Sequence, residues 1–299
     1  MVPPRVAMNQ GLLRTWLILG RVSNLPTVWA NGTAGWLLAG GGWTAGLGWT
    51  LLGLSLLYIA GMTLNDACDA VWDRTHAPDR PIPSGAISRR AVWLTGLVQM
   101  GAGAAVLGFC TRSAPPLILA LMLAILWYDV SHKRNAAGPW VMGLCRFLIY
   151  PLAASAAGWG WDDPQLSGGR GVVTLVLFAL GLYAYVVALT YTAKAERAVS
   201  SDPASRGPLL VWFLLAVPLG INLFVGLWWS GLPLLGWILF ARTLRQRRRI
   251  DIGRLVGLLL AGMVLVDVMA VCLVIGGTGL TLIALVPLNL ALQRVIPAT

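Results

Sequence analysis

The sequence predicts an all-α fold: a polytopic membrane bundle of nine transmembrane helices, ten if one short run also crosses, forming a single domain over residues 1–299. Three observations carry this expectation. Hydrophobic residues make up 58% of the 299 positions and charged residues 11%, with a mean hydropathy of +0.76, a balance few soluble domains approach. Apolar runs fall near 14–39, 48–66, 91–110, 115–130, 139–158, 171–192, 208–228, 231–243, 254–275 and 279–296. Most approach the roughly 20 residues that a helix needs to cross a bilayer. Finally, the basic residues collect on alternate connections between the runs.

Taken in order, the first run is too long for a signal-peptide core and is expected to be retained. Pro26 kinks it or marks where the helix begins in earnest. Its polar positions Arg21, Asn24 and Asn31, together with Val28, are spaced 3, 4, 3 and share one helical face. Polar groups inside lipid turn toward the bundle interior, as cavity lining or as packing contacts. The second run ends in Asn65-Asp66-Ala67-Cys68-Asp69-Ala70-Val71-Trp72-Asp73. The fourth ends in Tyr128-Asp129-Val130-Ser131-His132-Lys133-Arg134, and the sixth in Tyr191-Thr192-Ala193-Lys194-Ala195-Glu196. Arg146 and Asp267 stand alone inside apolar runs; isolated ionisable groups at such depth pair with each other or contact substrate. The run 231–243 is short, and it is followed by Arg245 to Arg249, which read as an anchor to anionic headgroups. The last run spans or lies at the interface.

With the N-terminus in the cytoplasm and the runs alternating, nearly every Lys and Arg falls on the inner side. The outer connections then hold only Arg112 and Arg170, as the positive-inside rule requires. The net charge of +11 is therefore topological. It does not point to nucleic acid, since the basic residues sit between spans. Four scattered cysteines without a CxxC spacing argue against zinc and read as small buried hydrophobes.

The acidic segment carries the chemistry. On a helix, offsets i, i+3 and i+7 fall at about 0°, 300° and 340°, so Asp66, Asp69 and Asp73 share a face. Carboxylates at the end of a membrane helix are costly unless a cation sits with them, and negative charge opposes the macrodipole at a helix C-terminus. Magnesium holding a diphosphate answers both, because hard oxygens suit Mg²⁺ and Mg²⁺ suits phosphate. Arg74 and Arg80, in the proline-stiffened loop that follows, offer forks for phosphate oxygens.

The pattern NDxxDxxxD followed by a basic loop ending in RPxPSG resembles the first aspartate-rich motif of the UbiA superfamily of intramembrane prenyltransferases, and the apolar pattern is similar over nearly the whole chain. The resemblance implies a UbiA-like bundle in which Asp66, Asp69 and Asp73 bind Mg²⁺ and Asn65 and Arg80 join them around an isoprenoid diphosphate. Tyr128, Ser131, Lys133 and Arg134 resemble the family's tyrosine with a Lys-Arg pair that grips diphosphate. The chain departs from the family after the sixth span, where a second DxxxD motif is replaced by a stretch retaining only Glu196, with Lys194 two residues before it and Tyr191 upstream. Lys194 can stand in for one Mg²⁺ as counter-charge, or the branch has lost catalysis. TYxAxxE together with YDxxHKR resembles the EboC-like branch of the superfamily.

The expected function is Mg²⁺-dependent transfer of an isoprenoid from its diphosphate to a hydrophobic or aromatic acceptor, by an enzyme embedded in the plasma membrane of a prokaryote, with its site open to the cytoplasm. The expected catalytic set is Asp66, Asp69, Tyr128, Lys133, Arg134, Lys194 and Glu196. The expected substrate contacts are Arg21, Asn24, Asn31, Asn65, Arg74, Arg80, Ser131, Arg146 and Tyr191. The alternative is a catalytically reduced relative that binds or helps export a prenyl lipid or hydrophobic metabolite. An ion-coupled transporter would need internal repeats, and no convincing repeat is present.

Overall fold

The computed structural model describes residues 11–133, 135–158, 170–197, 207–247 and 250–297, and among these it contains helices and no strand. The α-helices are α1 (Leu12–Leu19), α2 (Leu25–Leu38), α3 (Ala45–His76), α4 (Arg89–Cys110), α5 (Pro115–Ser131), α6 (Gly138–Ala156), α7 (Arg170–Arg197), α8 (Gly207–Val225), α9 (Leu232–Gln246), α10 (Ile252–Ile275) and α11 (Leu285–Val295). Among the described residues, five stretches are long and apolar enough to cross a membrane: Ala45–His76, Arg89–Cys110, Gly138–Ala156, Gly171–Lys194 and Ile252–Val295. Shorter apolar helices cover Pro115–Ser131 and Leu210–Val225.

Local sequence explains the boundaries. Prolines occupy the first turn of α2, α5, α6 and α9, where the missing N–H is one the helix could not use. Ser88 caps α4 by accepting from the Ala91 amide, and Asp251 caps α10 by accepting from that of Arg254. The run 14–39 is not one helix. It breaks at Gly20–Arg21, passes through a short 3-10 turn at Val22–Asn24 and restarts as α2 with Pro26 in its first turn. Arg21 sits in the left-handed region, with φ 42° and ψ 48°, at a cost of about 1 kcal/mol or more for a residue with a Cβ. Arg21 and Asn24 thus do not continue the face that carries Val28 and Asn31. The final run is likewise divided, with 3-10 geometry over Gly276–Ala284 before α11.

The main core joins α2, α6, α7 and α10, with Tyr150, Phe178 and Tyr185 fully enclosed. A second cluster joins α3, α4 and α5 around Leu54, Leu57, Leu64 and Leu107. Close helix approach uses small residues, as in other membrane bundles. A Cβ added to Gly35 of α2 would meet the Tyr150 carbonyl oxygen of α6 at 2.6 Å. Large apolar side chains such as Phe109 and Phe224 lie on the outside, the surface that lipid covers. Cys110 is exposed there rather than buried, Cys68 and Cys145 are half-buried, and only Cys272 is fully enclosed.

The dimension that positions the site is the length of α3. Thirty-two residues rise about 48 Å, well beyond a hydrocarbon core of about 30 Å. Roughly 20 residues from Ala45 cross that core, so the helix carries Asn65 and the aspartates to the boundary and beyond without interruption.

Candidate active site

Asp66, Asp69 and Asp73 all face inward from α3, and all three are buried. Three cations from three other segments meet them. The break before α2 turns Arg21 toward α3, where Nη2 lies 3.6 Å from Asp66 Oδ1. The proline-rich loop returns Arg80, whose Nη1 donates to Asp73 Oδ2 at 2.8 Å and reaches Asp66 Oδ1 at 3.5 Å. Beyond the end of α5, Lys133 Nζ lies 2.9 Å from Asp69 Oδ1 and 3.4 Å from Asp73 Oδ1, with its ammonium 3.9 Å from the Trp72 ring centroid. His132 Nε2 lies 3.4 Å from Asp69 Oδ2. Two nitrogens thus each serve two carboxylates, and the three acids meet three fixed cations. Arg89 ties the start of α4 to the same turns by donating to the Ala67 carbonyl at 2.8 Å.

A narrow, partly open cleft of about 60 Å³ adjoins this cluster. Its walls are Leu54, Leu57, Gly61 and Met62 of α3, Leu121 and Ile125 of α5, and Met142, Cys145 and Ile149 of α6, with Tyr58, Tyr128, Asp129 and Arg146 as its polar members. Tyr128 stacks on His132 at 4.8 Å between ring centroids, which links the cleft to Asp69.

A second polar network lies deeper. Arg146 donates to Asn31 Oδ1 at 2.8 Å and to Thr27 Oγ1 at 3.2 Å. Asn31 in turn donates to Asp267 Oδ2 at 2.5 Å, and Tyr150 donates to Asp267 Oδ1 at 2.6 Å. Arg146 and Asp267 are therefore joined through an amide rather than in direct contact.

The other expected residues divide. Asn65 is buried and donates to Asp129 Oδ1 at 3.2 Å. Asn24 is buried beside the α1–α2 break. Lys194 comes to the α5–α6 junction, where a Cβ built on Gly138 would meet its Nζ at 3.1 Å and the His132 carbonyl at 3.2 Å. Tyr191 meets Trp140 edge-on at 6.3 Å, away from the aspartates' own contacts. Arg74 is exposed, and the Ser131 hydroxyl is spent on its own helix, donating to the Trp127 carbonyl at 2.7 Å. Arg134 lies outside the described residues, as does the side chain of Glu196. Sequence reasoning missed Tyr58, Trp72, Arg89, Asp129 and Tyr150. Asp129 alone carried a signal, being a carboxylate inside a motif already singled out.

The donor chemistry of Asp66, Asp69 and Asp73 fits a hard divalent cation: acidic oxygens on one face, close enough for single nitrogens to bridge them. Among the described residues, no three His, Cys, Asp or Glu side chains already converge as a metal cluster, and Arg21, Arg80, His132 and Lys133 hold the oxygens instead.

Such a bundle, with apolar flanks and a charged pocket at one end of its longest helix, is an integral membrane protein. Residues 25–256 match the UbiA prenyltransferase family, and the chain belongs to that family. It is 23% identical over 218 residues to the bacteriochlorophyll synthase 34 kDa chain of Chloroflexus aurantiacus, covering 69% of this chain and 70% of that protein. It is 28% identical over 150 residues to digeranylgeranylglyceryl phosphate synthase of Methanoregula boonei, covering 49% of this chain and 53% of that protein. An apo UbiA homolog from Aeropyrum pernix K1 shares the fold with a TM-score of 0.65 at 16% identity, covering 84% of this chain and 97% of the other.

Proposed function

We propose that this chain transfers an isoprenoid group from its diphosphate to a hydrophobic or aromatic acceptor, at a magnesium site facing the cytoplasm of a prokaryotic cell. The observation that carries the reading is the shared use of Arg80 and Lys133 by pairs of buried carboxylates. An anion and a cation arriving together find partners of both signs, already partly desolvated and held in place. Asp66, Asp69 and Asp73 would hold Mg²⁺, which when bound neutralises charge on the departing diphosphate.

The protein's own groups do the rest. Arg21, Arg80 and Lys133 exchange carboxylate oxygens for phosphate oxygens, and Lys194 stands near enough to His132 to add a further positive charge. The allylic C–O bond breaks with its electron pair on the leaving diphosphate. The apolar cleft holds the hydrocarbon chain and keeps water from the developing carbocation, and the faces of Tyr58 and Tyr128 stabilise positive charge beside it. The acceptor then forms the new bond at the allylic carbon with its own electron pair, and the proton it gives up leaves with the diphosphate or passes to water.

Lys194 in place of a second acidic motif favours one other reading, binding without chemistry. Pyrophosphate release separates the two. Purified protein in lipid nanodiscs with Mg²⁺, farnesyl or geranylgeranyl diphosphate and a membrane lipid extract is expected to release pyrophosphate. Tight donor binding with no release would establish the binding-only reading, and absence of any donor binding would refute both.

A further inference from the structure

We infer that Asp129 is the residue that docks the polar group of the acceptor substrate, and that this group is a hydroxyl. The inference rests on reading the acidic end as the seat of the donor diphosphate. Asp129 is 3% exposed. One carboxyl oxygen, Oδ1, accepts from Asn65, whereas the other, Oδ2, is buried with no hydrogen-bond partner in the protein. A buried polar atom left unpaired costs about 1–3 kcal/mol, so it marks a place where a partner belongs.

The surroundings say which partner. Asp129 lines the cleft, and most of the cleft wall is apolar. The other charged side chain there, Arg146, has both terminal nitrogens engaged by Asn31 and Thr27. Asp129 is also next to the donor seat from two directions. Its partner Asn65 precedes Asp66 in α3, and its neighbour Tyr128 stacks on His132, which faces Asp69. Asp129 therefore sits where the hydrocarbon wall gives way to the proposed diphosphate pocket, the region in which the allylic carbon and the acceptor would meet.

A hydroxyl can donate to a carboxylate oxygen or accept from a carboxyl proton, so it satisfies Asp129 in either ionisation state. A carboxylate on the acceptor would add a further negative charge beside Asp66, Asp69 and Asp129, and a pure hydrocarbon would leave the oxygen unpaired. Asp129 is thus a specificity-determining residue that selects an alcohol or phenol and holds its oxygen near the reacting carbon.

The test compares 4-octylphenol with octylbenzene, each titrated into protein in nanodiscs saturated with a non-hydrolysable farnesyl thiolodiphosphate, with affinity counted over partition into empty nanodiscs. The expected result is roughly tenfold preference for the phenol, the usual worth of one buried hydrogen bond. Asp129→Leu and Asp129→Ala are both expected to abolish the preference while keeping farnesyl diphosphate binding, which reports an intact fold. Equal binding of the two probes by the wild-type protein overturns the inference, and that comparison needs no variant to fold. A preference that survives both substitutions overturns it as well. Selective phenol binding by a protein that takes up no farnesyl diphosphate supports the hydroxyl site and refutes the donor reading on its own.

Discussion

The two polar networks of this bundle are built from the same residue types and arranged in opposite ways. At the end of α3, carboxylates and cations from four chain segments meet at 2.8–3.6 Å, and Arg80 and Lys133 each divide their attention between two acids. Deeper, between α2, α6 and α10, Arg146, Asn31, Asp267 and Tyr150 form a closed relay in which each carboxylate oxygen of Asp267 has its own donor. The first arrangement has cations in part exposed and two of them shared between acids, which would let a ligand displace it oxygen by oxygen. The second is buried at its centre: Asp267 and Asn31 have no exposed surface, and Arg146 borders the cleft. On the proposed function, the divided hydrogen bonds mark the site of exchange and the undivided ones a structural pin.

That contrast can be broken by substitution. The largest effect is expected from Asp66→Ala or Asp69→Ala, which should lower pyrophosphate release by about a hundredfold or more while thermal unfolding in nanodiscs stays near the wild-type midpoint. Full activity in either variant would remove the metal reading. The converse effect is expected deeper in the bundle. Asp267→Ala strips Asn31 and Tyr150 of their acceptor and should cost about 3 kcal/mol of stability, with donor affinity per folded molecule unchanged. An Asp267→Ala protein of normal stability that had lost donor binding would erase the distinction. Arg80→Gln is expected to weaken binding of farnesyl diphosphate about tenfold, the worth of one charge-assisted hydrogen bond, with a shallower dependence on salt. Smallest is Tyr150→Phe, which removes one donor to Asp267 and should cost about 1 kcal/mol in the unfolding assay, with no change in turnover.

Much of the exchange site was legible from spacing. Offsets of three and four along a helix put three aspartates on one face; Arg80 was read as a phosphate contact from its basic loop, and Lys133 through the family resemblance. The structure adds what a linear pattern cannot hold. Arg21 was read as part of a continuous helical stripe with Asn31, yet Arg21 itself takes the left-handed conformation, which breaks the stripe and sends the two to different networks. The Asn65–Asp129 contact joins residues 64 positions apart, a distance over which no periodicity speaks. Arg146 and Asp267 were recognisable as odd ionisable groups in lipid, but the amide between them comes from a third helix 115 positions from one and 236 from the other. Membrane position and element type follow from composition; long-range polar pairing depends on which helices become neighbours, and small residues such as Gly35 set that.

The unbroken length of α3 has a mechanical consequence. The same rigid rod that crosses the oily slab also carries the acids, with no joint between the two parts. A thicker or thinner host leaflet makes such a rod tilt or sink, and every degree of tilt is transmitted to the carboxylates as a shift against Arg21 and Lys133, which are mounted on other segments.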